Sequence, residues 1–191
     1  VRYPTYIAIK AVTGVYKRVF VRYPTYIAIK VTGVSCMFLP KVKPWAHQAA
    51  AFELSKDATA FALLMEQRTG KSKVVIDTCA WQYSKGRITG LLLVAPNGVD
   101  EAWYNTYFDN HARAAAEKFL RTFNSMVAID EASLIKDPTS NRTKALVKLG
   151  KLAVTRRILT GTPATESPLN LFALFSFLDI NILGFQSYHA F

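Results

Sequence analysis

The residues best equipped for chemistry sit in two short stretches. In "LLMEQRTGKSKVVI", residues 63–76, an apolar run breaks into a polar loop that ends in Gly70-Lys71-Ser72 and passes into a second apolar-periodic run. Thr69 and Gly70 fall where backbone N–H groups form a concave nest, and a helix beginning at Lys71 adds its positive dipole end. In that setting the Lys71 ammonium lies on the β- and γ-phosphates of a nucleotide, and the Ser72 hydroxyl ligates Mg2+. Met65 stands where the general pattern G-x-x-x-x-G-K-[ST] has glycine; taken alone, the tripeptide is explained almost as well by an ordinary helix N-terminus. The second stretch, "MVAIDEAS" at 126–133, sets Asp130 and Glu131 at the end of an apolar run. Asp130 can hold Mg2+ through water, and Glu131 can orient and deprotonate an attacking water. Acids also favour helix N-termini, but both motifs, in this order and on strand ends of one sheet, point to nucleotide hydrolysis.

The elements that must position these residues can be read from periodicity. From Pro44 onward the pattern predicts helices over 46–55, 71–83, 99–121 (in segments), 141–151 and 169–178, with strands over 59–65, 89–95, 126–130 and 157–160. Strands that are apolar throughout and separated by helices imply an α/β fold whose parallel sheet is covered on both faces. Ligands bind such sheets beyond the carboxyl ends of the strands. Met65, Ala95, the end of 126–130 and Leu159 therefore mark where to look.

Before Pro44 the chain has a different character. Residues 1–44 hold eight basic side chains and no acidic one, supplying +8 of the formal +11, while residues 45–191 carry 16 basic against 13 acidic. A segment rich in Lys, Arg and Tyr and free of acids suits a phosphate backbone, with Lys17 and Arg18 as candidate contacts, or is simply a solvated β face. "VRYPTYIAIK" occurs at 1–10 and again, letter for letter, at 21–30, each copy followed by "VTGV" (12–15 and 31–34), the first with one extra residue, Ala11, between. Drifted repeats are rarely identical, so the repetition itself carries no functional weight. The alternation at Tyr6, Ile7, Ala8 and Ile9 favours short strands, with turns at Thr13-Gly14 and Thr32-Gly33 and with Pro4 and Pro24 pushing their strands toward a sheet edge. The "LPKVKP" run at 39–44 is the expected boundary, giving a basic β-rich segment over 1–43 and a lobe over 44–191.

Composition excludes other classes. A 51% hydrophobic content in 191 residues is that of a globular chain with a full core. No window of about 18 uncharged apolar residues exists, so no membrane partner is expected. Arg2, Lys10, Lys17 and Arg18 interrupt any signal-peptide pattern. Cys36 and Cys79 make no disulfide framework, and His47, His111 and His189 have no metal-ligand spacing, which favours a reducing compartment. The expected location is the cytoplasm of a bacterium or a virus-infected host, or the nucleus if the source is eukaryotic.

Taken together, "PWAHQ" (44–48), "EQRTGKS" (66–72), "LLLVAPNGVDEAW" (91–103), "IDEASLIKDPTSNRTKAL" (129–146) and "RILTGTPATESPLNLFALFSFL" (157–178) resemble the first motor lobe of superfamily 2 helicases. Within that superfamily they are most similar to the Swi/Snf-like DNA translocases. The resemblance implies a RecA-like P-loop lobe that uses ATP and Mg2+ and moves on double-stranded DNA. It further implies that Gln48 reads the adenine edge, that Thr69, Gly70, Lys71 and Ser72 hold phosphates and metal, and that Asp130 and Glu131 act as above. Thr160, Gly161 and Thr162 would couple nucleotide state to nucleic acid, and Pro96, Asn97 and Gly98 would lie near the nucleic-acid backbone. Without the resemblance, Gln48 is an exposed helix residue and Thr160 and Thr162 a polar turn before Pro163.

Three features depart from the family pattern. Ser133 replaces the usual His, Arg68 stands where many relatives have Gly, and only 22 residues separate Trp103 from Met126. Enzymes of this kind complete their site with arginines from a second lobe. The chain is therefore expected to be part of a longer translocase, binding Mg-ATP weakly and turning it over poorly alone. The alternatives are a DEAD-type RNA helicase lobe, whose D-E-A-D is not matched at Ser133, and a nucleic-acid-binding module that does not hydrolyse ATP.

Overall fold

A computed structural model describes residues 20–23, 26–30, 42–95, 110–135, 137–162, 170–185, 188 and 190. The strands are β1 (Phe20–Tyr23), β2 (Tyr26–Lys30), β3 (Ala60–Leu64), β4 (Gly90–Val94), β5 (Ser125–Asp130) and β6 (Thr155–Thr160). The helices are α1 (Ala46–Ser55), α2 (Lys71–Ser84), α3 (Asn110–Thr122), α4 (Asn141–Gly150) and α5 (Asn170–Leu178), with short 3-10 turns at Ala132–Ile135 and Ile180–Leu183. No described helix is long and apolar enough to cross a membrane.

One sheet runs β1-β2-β4-β5-β6-β3, and the four strands β4, β5, β6 and β3 are mutually parallel. Each parallel strand is followed by helical chain that must return along the sheet, which places helices on both faces. Side-chain alternation shows the two layers. Leu92, Val94, Val127, Ile129 and Ile158 pack with Ala116 and Leu120 of α3, Leu146 and Leu149 of α4, and Leu174 and Phe177 of α5. The alternate positions Leu63, Leu91, Met126, Ala128 and Leu159 pack with Val74, Val75 and Cys79 of α2, against which Ala51 and Phe52 of α1 also lie. Both faces of the central strands are buried, as expected of a sheet sandwiched between helices.

The basic N-terminal segment contributes to this sheet. β1 and β2 form an antiparallel pair with Tyr23 opposite Tyr26, and β2 runs antiparallel to β4 from Tyr26 opposite Val94 to Lys30 opposite Gly90. β1 is the sheet's outer strand on that side. The first sequence copy, the turns expected at 13–14 and 32–33, and Pro4 and Pro24 lie outside the described residues.

Helix and strand ends follow the expected bounds to within a residue or two. The largest shift is at β6, which begins at Thr155 rather than at Arg157. The helical stretch expected over 99–121 is described from Asn110.

Candidate nucleotide site

The loop between β3 and α2 is shaped by two left-handed residues, Arg68 with φ 62° and Gly70 with φ 81°. Gly70 is the N-cap of α2, and a Cβ there would lie 2.3 Å from Gln48 Nε2. Glycine meets both conditions, so the loop backbone lies directly under the Gln48 side-chain amide of α1, where a Cβ has no room unless that amide moves.

Two donors from the start of α1 hold this loop, and a third bond fixes one of them. Gln48 Nε2 donates to the Thr69 carbonyl at 3.0 Å, and Gln48 Oε1 accepts from the Trp45 N–H at 3.0 Å. His47 Nε2 donates to the same Thr69 carbonyl at 3.0 Å, which requires the proton on that ring nitrogen. Gln48 is 5% exposed, so it is not the exposed helix residue that the unaided sequence allowed. Thr69 in turn donates from Oγ1 to the Glu66 carbonyl at 2.7 Å.

Lys71 is the first residue of α2 and is only 7% exposed. Its ammonium donates to the Met65 carbonyl at 3.1 Å and the Glu66 carbonyl at 3.0 Å. Two of its three N–H groups are thereby placed, and one remains for a further acceptor. A buried cation resting on neutral carbonyls, with no carboxylate partner among the described residues, is stabilised by an anion. Ser72, the next residue, is exposed.

Asp130 ends β5 and continues the alternation of Met126 and Ala128, which faces α2. Its Oδ1 accepts from the Glu131 N–H at 3.1 Å, and Glu131 takes a left-handed φ of 51° before the 3-10 turn at Ala132–Ile135. Both acids are half-buried at the end of the sheet. On the neighbouring strand Thr160 is fully buried, pairs with Leu64 of β3, and accepts from the Thr162 N–H at 3.1 Å. A Cβ on Gly161 would lie 3.3 Å from Gln67 Cγ and 3.6 Å from the Met65 carbonyl. The Thr160-Gly161-Thr162 turn therefore lies directly against the loop that carries Lys71.

The expected residues thus gather at the carboxyl ends of β3, β5 and β6, where ligands bind in such sheets. Pro96, Asn97, Gly98, Lys17 and Arg18 lie outside the described residues. Among the described residues no three His, Cys, Asp or Glu side chains stand together as a metal cluster. A divalent ion held by Ser72 and Asp130 would take its other ligands from phosphate and water, the usual habit of Mg2+.

The sequence reading missed Arg157. It is fully buried on β6, and its guanidinium donates to the carbonyls of Ser55 (2.7 Å), Ala58 (2.8 Å) and Arg156 (2.7 Å). Burial pushes its pKa down to about 10, still far above neutrality, so a cation sits inside the fold at the C-terminal end of α1. Beside it, Gln82 donates to the carbonyls of Lys56 and Ala58 and accepts from Thr155 Oγ1, while Ser55 Oγ meets Thr78 Oγ1 at 3.2 Å. Arg157 thus ties the far end of the Gln48 helix to the strand that ends in Thr160. The sequence shows two adjacent arginines, Arg156 and Arg157, at the start of the strand, with no signal for which of them is buried.

A family model described as the SNF2-related domain matches residues 40–191. Among solved structures, the SWI2/SNF2 ATPase core of Sulfolobus solfataricus in complex with dsDNA superposes with a TM-score of 0.60 at 21% identity, covering 81% of this chain and 40% of that one. At this identity the likeness is one of fold, and this chain spans two-fifths of that relative's length. PCH-2 of C. elegans matches with a TM-score of 0.46 at 14% identity over 81% of this chain and 46% of its own.

Proposed function

The chain belongs to the SNF2-related domain family, and from that membership we propose that it is the ATP-binding lobe of a motor that couples ATP hydrolysis to movement on duplex DNA. One observation carries the reading: a buried, carboxylate-free Lys71, the Asp130-Glu131 pair and the Thr160–Thr162 turn all stand at the carboxyl ends of adjoining strands, and Gly161 packs on the phosphate loop. Lys71 and the loop N–H groups bind the phosphates, and Gln48, fixed between Trp45 and Thr69, presents its remaining amide valences to the base. Ser72 and Asp130 hold Mg2+, whose contribution when bound is to neutralise phosphate charge. Glu131 orients water for attack and accepts its proton.

The position of the Thr160–Thr162 turn suggests how nucleotide state is passed on. Movement of the loop when nucleotide binds would reach the turn at Gly161, whose lack of a Cβ lets it sit beside Gln67 and the Met65 carbonyl. Duplex DNA is the proposed track because the S. solfataricus relative is solved with dsDNA and because residues 1–44 carry eight basic side chains and no acid. Pro96, Asn97 and Gly98, with Lys17 and Arg18, are the proposed backbone contacts. A second lobe of the same polypeptide is proposed to complete the site with arginine.

Steady-state ATP hydrolysis by the full-length gene product tests the reading, with no nucleic acid, duplex DNA, single-stranded DNA and RNA compared, and Glu131→Gln as the blank. Stimulation mainly by duplex DNA is expected. Stimulation by RNA alone would identify an RNA helicase instead, and no turnover under any condition would leave a binding module.

A further inference from the structure

Arg68 is the residue of the phosphate loop that neither the fold nor the proposed reaction requires. Its φ of 62° lies in the left-handed region, where a non-glycine residue costs on the order of 1 kcal/mol. Among the described residues only Arg68 and Glu131 take a positive φ without being glycine, and they follow β3 and β5, the strands on either side of β6. The side chain of Arg68 is exposed, and no described residue bonds to its guanidinium, although Glu66 lies two residues away. A glycine would adopt this backbone at no steric cost. The arginine is therefore kept in a conformation that disfavours it, at a position where its side chain does nothing for the folded lobe.

The chemistry of the loop supplies what is missing. Arg68 is two residues before the N-cap of α2, and Lys71, the loop's other cation, is buried and committed by two of its three N–H groups to carbonyls. Even with Mg2+ bound, a nucleotide's triphosphate keeps a net negative charge, which one N–H from Lys71 and the backbone N–H groups leave partly uncompensated. Arginine presents five N–H donors in a planar fork that matches phosphate oxygens. Resting on the nucleotide-site reading above, we propose that Arg68 is a second phosphate-binding cation, supplied by the loop itself and closing over the nucleotide's phosphates from the solvent side.

Calorimetric titration of the chain with Mg-ATP, alongside thermal melting without nucleotide, tests this in Arg68→Gly, Arg68→Lys and Lys71→Ala variants. Arg68→Gly should weaken Mg-ATP by about tenfold, the size of one charge-assisted contact, while leaving the nucleotide-free melting temperature unchanged or raised. Arg68→Lys should fall between, because it keeps the charge and loses the fork. The gap between Arg68→Gly and the unaltered chain should shrink as salt rises, since an exposed cation is screened. Equal affinity in Arg68→Gly and the unaltered chain, with binding lost in Lys71→Ala, would overturn the assignment of Arg68 and leave the nucleotide site standing. A drop in melting temperature in Arg68→Gly, with no salt dependence of the affinity gap, would make Arg68 a structural residue and overturn it equally. No saturable binding by the unaltered chain would overturn the site and this inference together.

Discussion

Lys71 and Gly70 are bound to the loop by different physics, and substitutions should separate them. Lys71→Ala removes the ammonium that two carbonyls share, so it should abolish Mg-ATP binding and also lower stability by about 1 kcal/mol, since two partly buried acceptors lose this donor. Gly70→Ala retains the ammonium, yet its Cβ would fall 2.3 Å from Gln48 Nε2 at a φ of 81°. It should cost on the order of 1–3 kcal/mol and weaken nucleotide binding through displacement of the Thr69 carbonyl. Urea unfolding beside nucleotide titration measures both effects. An unchanged unfolding midpoint for Gly70→Ala would show that the loop and α1 do not meet as described. At this scale the sequence was informative where a residue type has one chemistry. Gly-Lys-Ser and Asp-Glu were legible because each presents a charge beside a strand end. Gln48 was not legible as a buried clamp, because its burial depends on contact with Thr69, 21 residues away, and neither helical periodicity nor residue type encodes that approach.

At the scale of elements, α1 is held at both ends, by Gln48 and His47 at its start and by Arg157 at its finish. Arg157→Met keeps the apolar volume but strips the short guanidinium bonds from the carbonyls of Ser55 and Ala58, which retain only longer bonds from the Ala58 N–H (3.2 Å) and Gln82 (3.4 Å), a loss of about 2–4 kcal/mol. The accompanying signature should be local: amide protons of 46–55 should exchange faster, and nucleotide affinity should fall although residue 157 is on the opposite end of α1 from the loop. Unchanged exchange in α1 would count against its being tied to β6 by this residue. Cys79, on the same face of the sheet, is an independent probe of the layer, since burial pushes its thiol up to about 12. In a Cys36→Ser background it should react with a disulfide reagent only as fast as α2 opens, far more slowly than a free thiol at neutral pH. Element bounds were largely legible in the sequence because apolar runs, Gly70 and the Ser140 cap of α4 punctuate the chain locally. Two features were not. The 3-10 turn at Ala132–Ile135 follows from tertiary packing of Ala132 and Ile135 under the sheet, and the antiparallel pairing of β2 with β4 joins residues 60 to 68 positions apart, which no local pattern specifies.

For the whole molecule, that last pairing changes how the basic segment must be tested. Removing residues 1–44 would take away eight positive charges, but it would also strip β1 and β2 from the sheet and leave β4 with an unpaired edge. A loss of DNA binding after such a truncation would therefore confuse charge with unfolding. Changing Lys17 and Arg18 to glutamine removes two charges and leaves both strands intact. If the segment touches a DNA backbone, log affinity plotted against log salt should lose up to about two units of slope in this double variant, close to one per phosphate contact, while thermal stability and Mg-ATP affinity stay where they were. An unchanged slope would confine the DNA contact to the lobe, leaving residues 17 and 18 as part of a solvated surface. A parallel loss of stability would instead place those two side chains in the fold.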